Sequence, residues 1–387
     1  MDKVKKMRWN PYVLLKNEGV IKFWEQRFLN QLENEKLLFI LGKGFDPRMN
    51  LALRSLMESC PNINIECWMI TFDEGANSSS HKYSELVDEN LLELGGLLSS
   101  RKLAEKKIKI WDIQGKKRTR VGDQQASRLI SGFDEISEFS DIIVDVSALP
   151  RGVYFSFIGR LLALVDYQKA DISKPNIYVS IAENASIDSK IREFDPGEVY
   201  YPRGFGGGVE LASEHQKPLI WFPILGEERK AHTTKAFEKI TETKDRLYEI
   251  CPTLPFPSKD PRRSDTVLIN HHSILFDEFT IEPQNITYIP EQNPFESYIQ
   301  LSQAILNYKK SLKILSGCKA VISPFSSKIL SIAALLTAYE NQEDVAILNV
   351  DSDGYEIDDE KELKKMGGES ELILTWLSGI PYEKIEN

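Results

Sequence analysis

Histidine and cysteine are scarce in this chain, with five and four among 387 residues. No HxxxH, HxH or mixed Cys/His set occurs, so no metal-ligating spacing is present. Cys60, Cys67, Cys251 and Cys318 lack CxxC spacing and fall in or beside apolar runs. They read as reduced core thiols, which makes the cytoplasm the expected compartment. No apolar run approaches the ~18–20 residues of a membrane span, so no membrane partner is expected. The opening MDKVKKMRWNPYVLLKNEG has neither an apolar h-region nor a small-residue cleavage site, and reads as no secretory signal. Neither a Gly-x-Ser-x-Gly elbow nor a P-loop Gly-Lys-Ser/Thr is found, which takes support from the familiar hydrolase and NTPase readings. A formal net charge of -10 argues against a nucleic-acid coat, and no extended nucleic-acid groove is expected. A small local cationic pocket stays open.

What the chain does have is alternation. Leu37–Leu41, Ile63–Phe72, Ile108–Ile113, Ile142–Val146 and Asn176–Ala182 read as strands. Helical segments are predicted between them at Met49–Glu58, Tyr83–Leu98, Asp123–Ile136 and Arg151–Gln168. A second series runs through Pro218–Leu225, Tyr248–Phe256, Ile286–Pro290, Ala320–Ser323 and Val345–Val350. Its helices are expected at Thr233–Leu247, Phe295–Tyr308 and Ser327–Tyr339. Strands alternating with helices indicate βαβ units and mainly parallel sheets. The fold expected is α/β, with two Rossmann-like, doubly wound halves whose parallel order suggests an internal duplication.

Residues 1–34 read as a helical lead-in, with Ile21, Trp24, Phe28 and Leu32 on one face packing against the main body. Residues 35–182 form the first half. Residues 183–217, containing DPGEVYYPRGFGGGVE, read as an insertion or linker. Residues 218–387 form the second half, with a solvated acidic segment after Val350 and a last helix at Glu369–Leu377.

Two junctions share one pattern. Ser147-Ala148-Leu149-Pro150-Arg151 and Ser323-Pro324-Phe325-Ser326-Ser327-Lys328 each follow an apolar strand and open an apolar helix. Free backbone N–H groups, a positive helix end, serine hydroxyls and a cation suit a phosphate or carboxylate. N-caps with a solvated cation would explain the same residues. Gly42-Lys43-Gly44-Phe45-Asp46-Pro47-Arg48 is a third junction: Gly42 and Gly44 permit close approach, Asp46 can cap, and Arg48 could reach an anion. Asp73 ends the next strand, where an acid can hold ribose hydroxyls. Pro47 stands where a GxGxxG pattern needs its third glycine, which weakens NAD binding. The proline-rich loop Pro255–Asp265 would pre-position Arg262 and Arg263. Asn293 with Glu296 reads as a helix cap. His271-His272 is the one histidine pair, and Asp141 and Asp145 carry no mark of an acid–base couple.

Two resemblances attach to these residues. The Gly42, Gly44, Asp46, Arg48 loop with Asp73 resembles the first motif of leucine carboxyl-type methyltransferases, which implies S-adenosylmethionine. The strand, small-polar-cation turn and helix at Ser326, Ser327 and Lys328, matched by Ser147 and Arg151, resembles CARF-type Rossmann-like sensor domains of bacterial immunity. The Gly-Gly-Thr-Lys form of that turn is missing here. That likeness implies a nucleotide ligand and a place in antiviral defence. The function expected is a cytoplasmic binding or sensor protein for an anionic, nucleotide-like ligand. The alternatives are a methyltransferase or other nucleotide-processing transferase, and a scaffold subunit with protein or homo-oligomer partners. No cofactor and no catalytic residue is assigned.

Overall fold

In the computed structural model, residues 6–32, 35–75, 78–114, 117–169, 172–188, 190–193, 196–211, 214, 216–243, 245–352, 354–360, 363 and 369–382 are described. From the N-terminal side come β1 (Val13–Lys16), β2 (Leu37–Gly42), β3 (Ile65–Asp73) and β4 (Leu103–Lys109). A hairpin of β5 (Trp111–Gln114) and β6 (Lys117–Arg120) follows, then β7 (Asp141–Asp145) and β8 (Asn176–Glu183). Next are β9 (Ile191–Glu193), β10 (Pro196–Tyr200), β11 (Leu219–Ile224), β12 (Tyr248–Ile250) and β13 (Thr253–Pro255). The last are β14 (Thr287–Ile289), β15 (Lys319–Pro324), β16 (Val345–Ile347), β17 (Asn349–Ser352), β18 (Tyr355–Ile357) and β19 (Glu371–Ser378). Helices α1 (Glu18–Phe28), α2 (Leu51–Ser59), α3 (Ser79–Lys82), α4 (Ser84–Leu98), α5 (Gly122–Ser127) and α6 (Arg151–Asp166) precede α7 (Ala185–Asp188). Then come α8 (Lys230–Thr241), α9 (Arg263–His272), α10 (Pro294–Ser311) and α11 (Lys328–Glu340).

The chain divides into two compact units, Met1–Asn10 with Asp195–Asp353, and Pro11–Phe194 with Gly354–Asn387. The second unit holds a seven-stranded sheet in the order β1-β19-β8-β7-β2-β3-β4. Five of these strands are parallel and lie third, second, first, fourth, fifth in chain order, counted from the β4 edge. β19 pairs antiparallel with β8, and β1 antiparallel with β19. The first unit holds the order β14-β13-β11-β15-β16, all parallel, with β12 also on β11. That is the same third, second, first, fourth, fifth succession. The doubly wound α/β fold is therefore present twice.

Alternation along the strands buries both sheet faces. Leu37, Phe39 and Leu41 of β2 join Trp24 of α1, Leu53 and Leu56 of α2 and Leu94 of α4 in one core. Leu38 and Ile40 point the other way and are equally buried. In the other unit Leu219, Trp221 and Val321 pack with Ala236 and Ile240 of α8, while Ile220, Phe222 and Ile322 are buried on the opposite side.

Several expectations need correction. Glu369–Leu377 is not a helix: β19 occupies it, because a continuous apolar run reads alike as buried strand or buried helix. The lead-in is not wholly helical, since β1 precedes α1 and joins the sheet through β19. Val20, Trp24 and Phe28 make its buried face, while Leu32 is exposed. The third strand begins at Leu103, not Ile108, because an edge strand alternating with charges conceals its pattern. Asp123–Ile136 is helical only through α5, with a short 3-10 turn at Phe133–Glu135. Segment 183–217 carries β9 and β10, and Gly207 and Gly208 in it are packed. Phe205 carbonyl accepts from Ile347 N at 2.9 Å, and Gly207, at φ +55°, leaves no room for a Cβ against Val345–Ala346. His215 and part of the acidic segment after Val350 lie outside the described residues.

Where the first and fourth parallel strands part company, each sheet has a glycine pressed on a carbonyl. A Cβ on Gly226 would stand 2.6 Å from Phe325 O, and one on Gly42 would stand 3.2 Å from Ala148 O and 2.6 Å from Leu149 Cδ2. Phe325 and Ala148 each sit three residues before their helix starts. Gly226→Ala, forced against backbone, is expected to cost about 1–3 kcal/mol in urea unfolding. Gly44→Ala, whose Cβ would meet nothing closer than 3.5 Å, is expected to stay within about 0.5 kcal/mol.

Candidate functional site

In a doubly wound sheet ligands settle at the carboxyl ends of the strands, near the point where strand order reverses. In the seven-stranded sheet that point lies between β2 and β7. The chain itself fills it. Gly42 lies against Leu149, and Leu149 is buried. Ser147 is fully buried: its hydroxyl accepts from Ala182 N at 2.8 Å, and its amide donates to Asp145 Oδ1 at 3.0 Å. It ties β7 to β8. Arg151 opens α6, half-buried. Phe45, in the loop after β2, packs on Tyr83 and Tyr355 with ring centroids 5.2 and 6.0 Å apart.

Arg48 does not present its charge to a ligand. It is only 3% exposed and pairs with Asp46 at 2.7 Å and Asp188 at 2.8 Å. Burial opposes its charge, but the two carboxylates outweigh burial and hold its pKa well above the usual value. Asp46 accepts from both the amide and Nε of Arg48 at 2.9 Å, so the loop's acid serves its own arginine. The anion expected here is supplied by the protein.

The first unit repeats this economy. Arg263 makes a two-pronged pair with Glu227, 3.0 Å at each prong, and a close pair with the buried Glu291. The carboxyl ends of β11, β13 and β14 thus gather around a cation already matched. Arg262 is exposed, and its amide closes an Asp260 turn at 2.9 Å. Ser327 caps α11, accepting from Leu330 N at 3.4 Å; Ser326 is buried and Lys328 half-buried. Asn293 caps α10, accepting from Phe295 N at 3.1 Å and Glu296 N at 3.2 Å, as its spacing suggested. Arg48, Asp73, Ser147 and Arg151 belong to one unit; Arg262, Arg263, Ser326, Ser327 and Lys328 belong to the other.

Asp73 is differently placed. It ends β3, is exposed, and accepts from Gly75 N at 2.8 Å. It lines an open cavity of about 580 Å³ with Thr71, Lys107, Lys109, Asp112 and Gln125. The register sets Thr71 opposite Lys107 and Asp73 opposite Lys109 across β3 and β4. The pleat turns these four side chains to one face. Gln125 of α5 accepts from Lys109 N at 2.7 Å and anchors the cavity's far wall. Lys107 and Lys109 are hard to find from sequence, because the apolar part of this strand starts only at Ile108; the alternation of Glu105, Lys107 and Lys109 is the signal it offers. Among the described residues no group of three or more His, Cys, Asp or Glu could hold a metal ion, and no helix is long and apolar enough to cross a membrane.

Compared by sequence, the chain matches no protein-family model and no curated protein. Among solved structures it is similar to a functionally unknown protein from Pseudomonas aeruginosa PAO1, at 9% identity and a TM-score of 0.23, covering 89% of this chain and 99% of that one. A universal stress protein from Archaeoglobus fulgidus DSM 4304 matches at 10% identity and 0.23, covering 81% and 95%. A NadR protein solved in complex with NR matches at 10% and 0.23, covering 81% and 90%. Likeness at this level carries no argument about function, and the fold assignment rests on the strand order.

Two outcomes follow from the buried charges. Asp46→Ala leaves a buried guanidinium with Asp188 alone, and is expected to destabilise by about 3 kcal/mol in chemical denaturation. His271 is fully buried on α9. Its Nδ1 must donate to the Val267 carbonyl, 3.0 Å away, leaving Nε2 a lone pair with no partner among the described residues. Burial lowers its pKa below the ordinary 6.5, with nearby Lys230 adding to the effect against Val267 and Glu227. The unfolded chain then binds a proton that the folded one refuses. This contribution is absent above the unfolded pKa and costs stability as pH falls below it. Stability measured from pH 7 to 5 should decline, and His271→Leu should flatten that decline.

Proposed function

We propose that this chain binds an anionic, nucleotide-like ligand at the carboxyl ends of β3 and β4, as a binding or sensor protein. The observation that carries this reading is the cavity in which Asp73, ending the second strand of a doubly wound sheet, faces Lys107 and Lys109 across one strand pair. A carboxylate at that strand end accepts from ribose hydroxyls, and neighbouring cations receive a phosphate. Arg48 and Arg263 are left out of the site, because they are shielded from solvent among their carboxylates, whereas Lys107, beside Glu105 at 3.1 Å, keeps 73% of its side chain exposed. The CARF resemblance makes a cyclic oligonucleotide of bacterial antiviral defence one ligand of this class. The methyltransferase resemblance shares Asp73, so S-adenosylmethionine is the competing occupant.

Thermal unfolding with ATP, NAD, a cyclic oligoadenylate and S-adenosylmethionine tests it. A ligand at about a hundred times its Kd stabilises by about 2.7 kcal/mol. At least one of the phosphorylated ligands should raise Tm, and Asp73→Asn with Lys107→Ala should abolish the rise. A rise with S-adenosylmethionine alone, or a nucleotide effect untouched by both substitutions, overturns the reading.

A further inference from the structure

The overall charge conceals a local reversal. Residues 101–120 hold nine lysines and arginines and only two acids, in a chain whose net charge is -10. The structure places the described part of that stretch, 101–114 and 117–120, at one side of the seven-stranded sheet, as edge strand β4 and the hairpin β5–β6. Lys102, before the amino end of β4, pairs with Glu66 at 3.0 Å with its side chain 68% exposed; Lys107, beside Glu105 at 3.1 Å, is 73% exposed, and Lys109 is exposed next to it on the same face. On the hairpin, the guanidinium carbon of Arg118 lies 3.7 Å from the Trp111 ring centroid, and that of Arg120 lies 5.7 Å away.

Lysines on an edge strand have a plain use, since they discourage pairing with another sheet. That use accounts for β4. It does not account for Arg118 of a separate two-stranded ribbon, which is exposed and set over an indole, whereas Arg120 is buried beside Asp123. A guanidinium laid on a ring keeps its outer face and its edge donors available. That face can take a base by stacking, and the donors a phosphate. Among the described side chains of this stretch, Leu103 is the one large apolar residue that is exposed. A membrane surface would need more, because amphipathic docking depends on inserted apolar residues.

We propose that β4 and the β5–β6 hairpin form a binding surface for single-stranded nucleic acid, with the lysines tracking the backbone and Arg118 stacking a base. This surface adjoins the nucleotide cavity through Lys107 and Lys109 but does not depend on it, because Lys102 and Arg118 lie outside the cavity lining.

The test is fluorescence anisotropy of the full chain with labelled oligo-uridine and oligo-thymidine of about twenty nucleotides, titrated from low to high salt. Binding should weaken with salt at a slope of about -2 in log–log form, as for three or so phosphates neutralised on a single strand. Lys102→Glu with Arg118→Ala should weaken it by about tenfold or more, the loss of a stacked base with two backbone contacts. Lys22→Glu, on an exposed turn of α1 in the same unit, should not. Circular dichroism of each variant separates lost binding from lost fold. Asp73→Asn should spare oligonucleotide binding, whereas Arg118→Ala should spare any mononucleotide effect, so the two proposals fail separately. No binding at low salt, binding unaffected by the Lys102 and Arg118 changes, or capture by anionic vesicles in place of oligonucleotides overturns the proposal.

Discussion

A guanidinium removed from water must be met by carboxylates, and Arg48 is met by two. Asp46 comes from its own loop and Asp188 from α7, a short helix beyond the last parallel strand. The pairing draws the loop after β2 toward the segment after β8 and closes the place where a doubly wound sheet usually receives its ligand. Leu149 against Gly42 completes the closure with apolar packing. Space for a guest is then found one strand further out, over β3 and β4. Arg263, between Glu227 and Glu291, repeats the arrangement in the other unit. Charge at strand ends does not by itself mark a binding site; a buried cation with full partners is part of the scaffold.

The two sheets follow one plan at several levels. Both run third, second, first, fourth, fifth, and both press a glycine at or just past the end of the first strand onto a carbonyl three residues before the helix after the fourth strand. The serine-bearing turns noticed in the sequence belong to this joint. Ser147 stitches β7 to β8, and Ser327 caps a helix. Repetition of the turns thus follows from repetition of the fold, and their hydroxyls serve backbone groups. Backbone N–H groups must be satisfied wherever they are buried, and short polar side chains do this most cheaply.

Much of the fold was legible in the sequence, because buried parallel strands such as Leu37–Leu41 and Ile142–Val146 are short apolar runs between helical periods. β19 was not, since Leu372–Leu377 gives no period and its partners lie far away in sequence. β4 was hidden by its exposure: an edge strand alternating leucine, glutamate and lysine looks like surface. The site suffered the same blindness. Asp73 could be named from its place at a strand end, but Lys107 and Lys109 belong to a strand whose apolar part starts only at Ile108. Arg48 and Arg263 could be seen as cations near strand ends; their carboxylates, Asp188 and Glu291, come from segments that only the folded chain brings near. The basic stretch 101–120 was submerged in an acidic total.

The position of β19 sets an order on synthesis. It sits between β1 and β8, so the seven-stranded sheet stays split until residues near 378 have left the ribosome. The six-stranded sheet needs nothing beyond β16 for its strands. The middle of the chain can therefore mature on the ribosome while β1, the first strand made, still waits for one of the last. In that interval the flank of β8 that β19 will cover is an open template for any passing strand.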